Sequence, residues 1–96
     1  LMTTNHLPAS LMPYELQGMY SPGRGYGLGV EVVMDLGQSQ MVGSVGAYGW
    51  SGAASTHFWV DPKEELIGIQ MAQFQPSGFH PIEVDFRVAA YQAIVD

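Results

Sequence analysis

The sequence contains no cysteine, few charged residues and no long apolar run. Without cysteine, a disulfide framework and a thiolate metal site are both excluded, and any cellular compartment fits. No apolar stretch reaches the ~18 residues of a transmembrane helix, so we expect no membrane span. The first eight residues lack the basic and apolar regions of a signal peptide. Because the chain begins without methionine, we expect it to be a segment of a longer protein.

Charge is also unbalanced. Charged residues make up 12 % of the 96 residues, about half the usual share in soluble domains. The only cations are Arg24, Lys63 and Arg87, and the net charge is −6. A phosphate-tracking surface needs clustered cations, so neither nucleic-acid binding nor adsorption to an anionic membrane is expected. A surface so poor in charge predicts that part of it is normally covered.

Proline and glycine divide the first half of the chain. Residues 1–7 are predicted to be the last turns of an upstream helix that Pro8 ends, and the proline-rich remainder of 1–24 an ordered loop. The β-branched residues of 25–35 predict a strand. Its glycines do not have the GxGxxG spacing of a phosphate loop, and they indicate instead a strand face that another backbone approaches.

The second half predicts an antiparallel hairpin and a helix. Residues 36–47 are a connection, 56–60 and 66–74 are strands, and the Asp-Pro sequence at 61–62 predicts the turn between them. Pro81 suits the first turn of a helix over 81–96, and Glu83 and Asp85 favour its dipole. The expected fold is α+β: an antiparallel sheet of about three strands within 25–80, with the C-terminal helix on one face.

The other face of that sheet has no predicted cover. Both hairpin strands are apolar on both faces, which is typical of a sheet covered on both sides. A bare face would expose more apolar surface than monomers tolerate. We therefore expect the isolated chain to dimerise, to pair with missing sequence, or to fold its first 24 residues over the open face.

No local motif assembles a catalytic site. His6, His57 and His80 lie far apart without acidic neighbours in sequence, and we interpret each as structural or exposed. The metal spacing HExxH, the nucleophile elbow Gly-x-Ser-x-Gly and the pair Ser-x-x-Lys are all missing. The sequence therefore predicts no metal, no cofactor, and a nucleophile and general base that are not in this chain.

Four runs nevertheless carry a family likeness: residues 27–31 (GLGVE), 50–53 (WSGA), 58–62 (FWVDP) and 66–69 (LIGI). Together they resemble the C-terminal part of the penicillin-recognising serine hydrolases, which include class C β-lactamases and related esterases. The resemblance implies a β-lactamase/transpeptidase-like fold, of which all 96 residues would be one partial domain. Members of that family are often periplasmic or secreted.

The resemblance also implies roles for one short stretch. The family's cleft combines Ser-x-x-Lys, Tyr-x-Asn, and a third motif that is Lys-Thr-Gly or, in esterase-like members, His-x-Gly or Trp-x-Gly. Only the third is present, as Trp50, Ser51 and Gly52, which would bind a small ester or amide substrate. The backbone N–H of Ala53 would be an oxyanion-hole donor, and the first two motifs would lie upstream.

Trp50 favours an esterase. A lysine there would attract a substrate carboxylate, whereas tryptophan offers an apolar ring and one N–H donor. We therefore expect an esterase-type parent, with a β-lactamase or D-alanyl carboxypeptidase as the alternative. A non-catalytic structural or binding module is a further alternative, and Trp50 could also be a core residue beside Trp59. The chain alone is expected to be inactive.

Overall fold

The chain folds as α+β, with antiparallel sheets and a C-terminal helix. The structure is a computed structural model that describes residues 1–16, 19–76 and 80–95. In those ranges there are seven strands in two sheets, so the expected number of about three is wrong. The strands are β1 (Tyr14–Leu16), β2 (Met19–Ser21), β3 (Arg24–Tyr26), β4 (Glu31–Val33), β5 (Tyr48–Ser51), β6 (His57–Asp61) and β7 (Leu66–Gln70). The helices are α1 (Leu36–Ser39) and α2 (Ile82–Gln92), and Ala9–Leu11 forms a 3-10 turn.

The main sheet is an antiparallel meander in the order β3-β4-β5-β6-β7, and β1 and β2 pair separately. The hairpin predicted over 56–74 is confirmed as β6 and β7, although β7 ends at Gln70. Its turn forms as expected: the Asp61 carboxylate accepts the Glu64 N–H at 3.2 Å, and Glu65 adopts a left-handed φ of 54°. Aspartate at the first turn position thus closes the loop that Pro62 begins.

The single strand predicted over 25–35 is wrong, because the chain turns back within it. Arg24 pairs with Val33 and Tyr26 with Glu31 across a tight reversal. The Gly27 N–H donates to the Val30 carbonyl at 2.8 Å, and Gly29 has φ +94°. A left-handed φ costs little only at glycine, which explains why the turn occurs here.

The N-terminal segment is not the helix end that was predicted for residues 1–7. It lies along the outer edge of β3, where the His6 N–H donates to the Tyr26 carbonyl at 2.9 Å and the Leu28 N–H to the Met2 carbonyl at 2.8 Å. The Asn5 side chain also accepts the Tyr26 N–H at 3.0 Å. These bonds satisfy an edge that would otherwise remain open, which outweighs local helix preference.

Two other connections contain regular structure. The loop predicted up to residue 24 includes β1 and β2, and the connection over 36–47 includes α1, whose Gln38 N–H is capped by Asp35 at 3.0 Å. Residues 17, 18, 77–79 and 96 lie outside the described residues. They belong to the predicted loop of 8–24, to the segment between the predicted strand of 66–74 and Pro81, and to the predicted helix of 81–96.

Helix α2 covers one face of the sheet, as expected, and packs on Trp59. The Trp59 ring is 1 % exposed; it meets Phe86 edge-on at 5.6 Å and stacks with Tyr91 at 6.2 Å. The Arg87 guanidinium carbon lies 4.9 Å from its centroid. On the neighbouring strand β7, a Cβ on Gly68 would lie 2.2 Å from the same ring. The core is therefore built around one indole, for which Gly68 leaves the space.

On the opposite face of the sheet, Val32 of β4 is buried, but the part formed by β6 and β7 is bare within the described ranges. Phe58, Ile67 and Ile69 alternate with Trp59 and Gly68 along β6 and β7. They are 38 %, 65 % and 63 % exposed. This confirms the expected uncovered face for β6 and β7 only; the expected dimerisation or rearrangement over it stays a prediction.

Candidate functional site

A cleft of about 560 Å³ lies between β1 and β2, the end of β5, and the first turn of α2. This volume lies within the range usual for small-molecule sites, ~300–1,000 Å³. All four residues that the sequence singled out line it: Trp50, Ser51, Gly52 and Ala53. The structure therefore gathers the predicted stretch at this concave surface, although these residues alone carry no complete chemistry.

The end of β5 presents a free backbone edge at this cleft. Strand β4 pairs with β5 at Tyr48 and Gly49, whereas β6 continues alongside as far as Ser51. In the described part of the chain, no strand pairs with Trp50 and Ser51 on the side away from β6. Because the Gly52 N–H donates to Thr56 at 2.8 Å, ladder alternation turns the backbone groups of Ser51 outward. An extended ligand can add to such an edge.

A local structural constraint also explains why residue 52 is glycine. A Cβ at this position would lie 2.2 Å from the Thr56 hydroxyl oxygen. The turn that follows is held by Ser55, whose hydroxyl donates to the Phe74 carbonyl at 2.7 Å. The Phe74 N–H in turn donates to the Ala54 carbonyl at 3.1 Å. These bonds fix the backbone around exposed Ala53, which carries the predicted oxyanion donor.

Trp50 forms part of an aromatic wall and is not packed beside Trp59. The strand register places Trp50 opposite Phe58, and Trp59 opposite Gly49. The half-buried Trp50 ring meets Tyr26 edge-on at 5.4 Å, and Tyr26 meets Tyr14 in the same way at 6.2 Å. The interpretation of Trp50 as a core partner of Trp59 is therefore wrong, since neighbouring strand residues point to opposite faces.

Ser51, His57 and Glu83 meet at one side of the cleft. The Ser51 hydroxyl oxygen lies 2.6 Å from His57 Nδ1, and the nearer Glu83 carboxylate oxygen lies 3.5 Å from the same nitrogen. Burial lowers the pKa of His57, and the Glu83 carboxylate offsets this only in part. The imidazole is therefore neutral at pH 7, and it carries a single N–H.

This trio does not have the geometry of a Ser-His-acid triad. In a triad, the nucleophile contacts one imidazole nitrogen and the acid contacts the other. Here both Ser51 and Glu83 face Nδ1. Nε2 is buried, and no residue of the described ranges hydrogen-bonds to it. The arrangement orients Ser51 but does not make it a nucleophile with a relayed base.

A second polar cluster borders the cleft near β4. The Tyr14 hydroxyl donates to Glu31, and both burial and this bond raise the pKa of Tyr14. Arg24 lies 3.8 Å from the same carboxylate and also donates to the Ser39 carbonyl at 3.5 Å. Among the described residues, Arg24 is the cation that lines the cleft. Because it already has a carboxylate partner, little positive charge is left for an anionic ligand.

Sequence reasoning missed both clusters. The Ser51–His57 contact had a usable signal, because a hairpin that turns over 52–56 places these two residues opposite each other. The contact of Glu83 with His57 had no such signal, since α2 and β6 meet only in the tertiary fold. The other histidines are separate from the site: His6 Nε2 lies 2.7 Å from the Leu1 carbonyl, and the His80 ring lies 4.6 Å from Phe74.

Two further properties of the described residues bear on the type of site. Residues 1–16, 19–76 and 80–95 contain no group of three or more histidine and acidic side chains that could hold a metal ion. None of the helices in these ranges has the length and apolar character needed to cross a membrane.

A scan against protein-family models and a search of curated proteins return no match.

Proposed function

We propose that this chain is the C-terminal part of a β-lactamase-related serine hydrolase of the esterase type, with the β-lactamase/transpeptidase-like fold of that family. The observation that carries the proposal is the position of the Trp50-Ser51-Gly52 sequence. It ends a strand of a five-stranded antiparallel sheet, at the point where the strand edge becomes free, and it borders a cleft of about 560 Å³. This is where the third motif of that family would meet an acyl substrate.

The backbone geometry suggests the role of each residue in the proposed reaction. The free edge at Ser51 would hold the substrate as an added strand. The Ala53 N–H would donate to the developing oxyanion, and one such donor is worth ~3 kcal/mol of transition-state stabilisation. The second donor, the nucleophile and its base would come from sequence upstream of this chain.

The walls of the cleft favour an ester over a carboxylate-bearing lactam or peptide. Trp50 and Tyr26 form an apolar aromatic surface, and Arg24 is engaged by Glu31. A charge-assisted contact to a substrate carboxylate, worth ~1.5–3 kcal/mol, is therefore not offered. Apolar acyl or alcohol groups gain contact with the rings instead.

The test uses the full-length protein and two substrate classes. We expect hydrolysis of short p-nitrophenyl esters and weak or no hydrolysis of a chromogenic cephalosporin. Trp50→Lys should move the preference toward the cephalosporin, and the matched control Trp50→Phe should keep the ester preference. A wild-type preference for the cephalosporin would overturn the esterase assignment. The isolated chain should hydrolyse neither substrate. Clear turnover by it would refute the assignment of the nucleophile and its base to upstream sequence.

A second candidate is a non-catalytic binding module. The observation in its favour is the bare apolar face formed by Phe58, Ile67 and Ile69, which would suit a protein partner. The two candidates differ in a simple way. A full-length protein that hydrolyses neither substrate class, and whose upstream sequence has no Ser-x-x-Lys, would favour the module.

A further inference from the structure

The Ser51 hydroxyl can point its proton in two directions, and the imidazole of His57 decides between them. We propose that His57 donates its Nδ1–H to the Ser51 oxygen, and so directs the Ser51 hydroxyl proton into the cleft toward an acceptor oxygen of the ligand. Glu83 fixes this tautomer. In this assignment His57 and Glu83 are positioning residues, and Ser51 is the group that touches the ligand.

The first reason is the carboxylate at Nδ1. Glu83 Oε1 lies 3.5 Å from His57 Nδ1, and an ionised carboxylate only accepts hydrogen bonds. A lone pair on Nδ1 would face this negative charge and be repelled, whereas an N–H there would be attracted. The charge of Glu83 therefore favours the proton on Nδ1.

The second reason is the buried nitrogen on the other side of the ring. His57 Nε2 has no hydrogen-bond partner among the described residues. A buried N–H without an acceptor is rarer in proteins than an acceptor without a donor. Placing the proton on Nε2 would leave such an N–H, while placing it on Nδ1 leaves only a lone pair. Both sides of the ring thus select the same tautomer.

The remaining charges near the imidazole do not reverse this choice. Arg87 on α2, Glu31 on β4 and Arg24 on β3 also act on His57. Arg24 and Glu31 pair with each other at 3.8 Å, and the Arg87 Nε–H donates to the Val42 carbonyl at 2.8 Å. Among the described ion pairs, the charged group within 4 Å of His57 Nδ1 is the Glu83 carboxylate.

The consequence lies at Ser51. A hydroxyl has one donor and two acceptor positions. When its oxygen accepts from His57 at 2.6 Å, its own proton is left for the exposed side, which is the cleft. The fitting ligand group is a carbonyl or carboxylate oxygen. Assigning that oxygen to an ester rests on the proposed function; the direction of the hydroxyl does not.

The tautomer can be measured directly on the unmodified 96-residue protein. Long-range ¹H–¹⁵N correlation spectra distinguish a protonated from an unprotonated ring nitrogen. We expect His57 to carry its proton on Nδ1. His6 provides an internal contrast, because its Nε2 lies 2.7 Å from the Leu1 carbonyl, which only accepts and so requires the proton on Nε2. A spectrum with His57 protonated on Nε2 would overturn the proposal.

A charge substitution tests the role of Glu83. Glu83→Gln should shift His57 toward the Nε2–H form, because the carboxylate that attracts the Nδ1 proton is gone. Asp85→Asn removes the same charge from the same helical turn at an exposed position, and it should leave the tautomer unchanged. Equal effects of the two substitutions, or no effect of either, would overturn the assignment to Glu83.

Kinetics on the full-length protein then test the consequence. In His57→Asn, the amide nitrogen is bonded to Cγ as Nδ1 is, so ester hydrolysis should stay within roughly twofold of wild type. His57→Gln should lower kcat/KM by roughly threefold to tenfold, the usual loss for one hydrogen bond. Adding Ser51→Ala to His57→Gln should cost little more, because both act on one contact.

The outcomes separate the two proposals. Equal losses in His57→Asn and His57→Gln, with an additive effect of Ser51→Ala, would mean a merely structural histidine and would overturn this inference. A full-length protein that hydrolyses no ester would refute the proposed function, while the tautomer spectra would still decide the inference.

Discussion

The Tyr91 hydroxyl donates to the Asp61 carboxylate at 2.6 Å, which joins helix α2 to the end of β6. Asp61 is fully buried, and its other oxygen accepts the N–H of Glu64 in the β6–β7 turn. The Tyr91 oxygen in turn accepts the Trp59 indole N–H at 3.2 Å. One short network therefore ties the helix, the core indole and the hairpin turn together.

We predict that Tyr91→Phe destabilises the fold. It removes the donor to a buried carboxylate and leaves that group short of a partner, which costs roughly 1–3 kcal/mol. Urea unfolding followed by tryptophan fluorescence measures the change. Tyr20→Phe is the matched control, because Tyr20 is 68 % exposed, and it should change the free energy of unfolding little. Equal effects of the two substitutions would contradict the buried network.

The same carboxylate predicts an acid-sensitive fold. Burial alone would raise the pKa of Asp61, but hydrogen bonds from Tyr91, Ser44 and the turn outweigh it and hold the pKa below its ordinary value of 3.8. A group with a depressed folded pKa contributes stability that is present above the unfolded pKa and lost as pH falls through the folded one. The free energy of unfolding should therefore decrease as the pH is lowered below 3.8.

Removing the Tyr91 hydroxyl should weaken this acid dependence, because it removes a bond that holds the Asp61 pKa down. Urea titrations of wild type and Tyr91→Phe at a series of acidic pH values measure the two slopes. An identical slope in both proteins would show that the Tyr91 bond does not hold this pKa down.

A third prediction concerns the space beside Trp59. Gly68→Ala should destabilise by ~1–3 kcal/mol, the usual cost of overpacking a tight core. The added Cβ would lie 2.2 Å from the ring carbons of Trp59, and the ring also packs against Tyr91 and Phe86. Gly37→Ala in α1 is the control: its nearest neighbour would be 3.4 Å away, and alanine favours helices. Thermal unfolding of both variants measures the difference.

The elements that could be predicted are those with a local signal. Asp61 and Pro62 mark the turn between two apolar runs, and Pro81 with Glu83 marks the start of a helix; both signals correspond to the structure to within a few residues. The reversal at Gly27 and Gly29 was missed because β3 and β4 are only three residues long. Strands so short give no period-2 pattern to count.

The residues of the candidate site show the same contrast between local and tertiary signals. Trp50, Ser51, Gly52 and Ala53 form one run, so sequence could place them together at a surface. The contact of Glu83 with His57 joins residues on α2 and β6, and no local pattern encodes it. Arg87 shows the same limit. On an isolated helix Glu83, four residues earlier, would be the local partner of Arg87. The Arg87 guanidinium instead donates to the carbonyl of Val42, 45 residues away, because tertiary packing buries that side chain.

The last prediction concerns the bare face of the sheet. Phe58, Ile67 and Ile69 lie together on β6 and β7 with 38–65 % of their surface exposed, and contiguous apolar patches of this kind are rare on monomers. In a solution of this chain alone, the apolar surface available to cover the patch is that of a second copy. We therefore expect sedimentation equilibrium to show self-association, and Ile69→Lys to weaken it by placing a charge in the patch. Val84→Lys makes the same change at a site on α2 that is 62 % exposed, and it should leave the association constant unchanged. A wild-type monomer that binds no hydrophobic dye would refute the expectation, and equal weakening by both lysines would mean that general charge, not this face, controls the association.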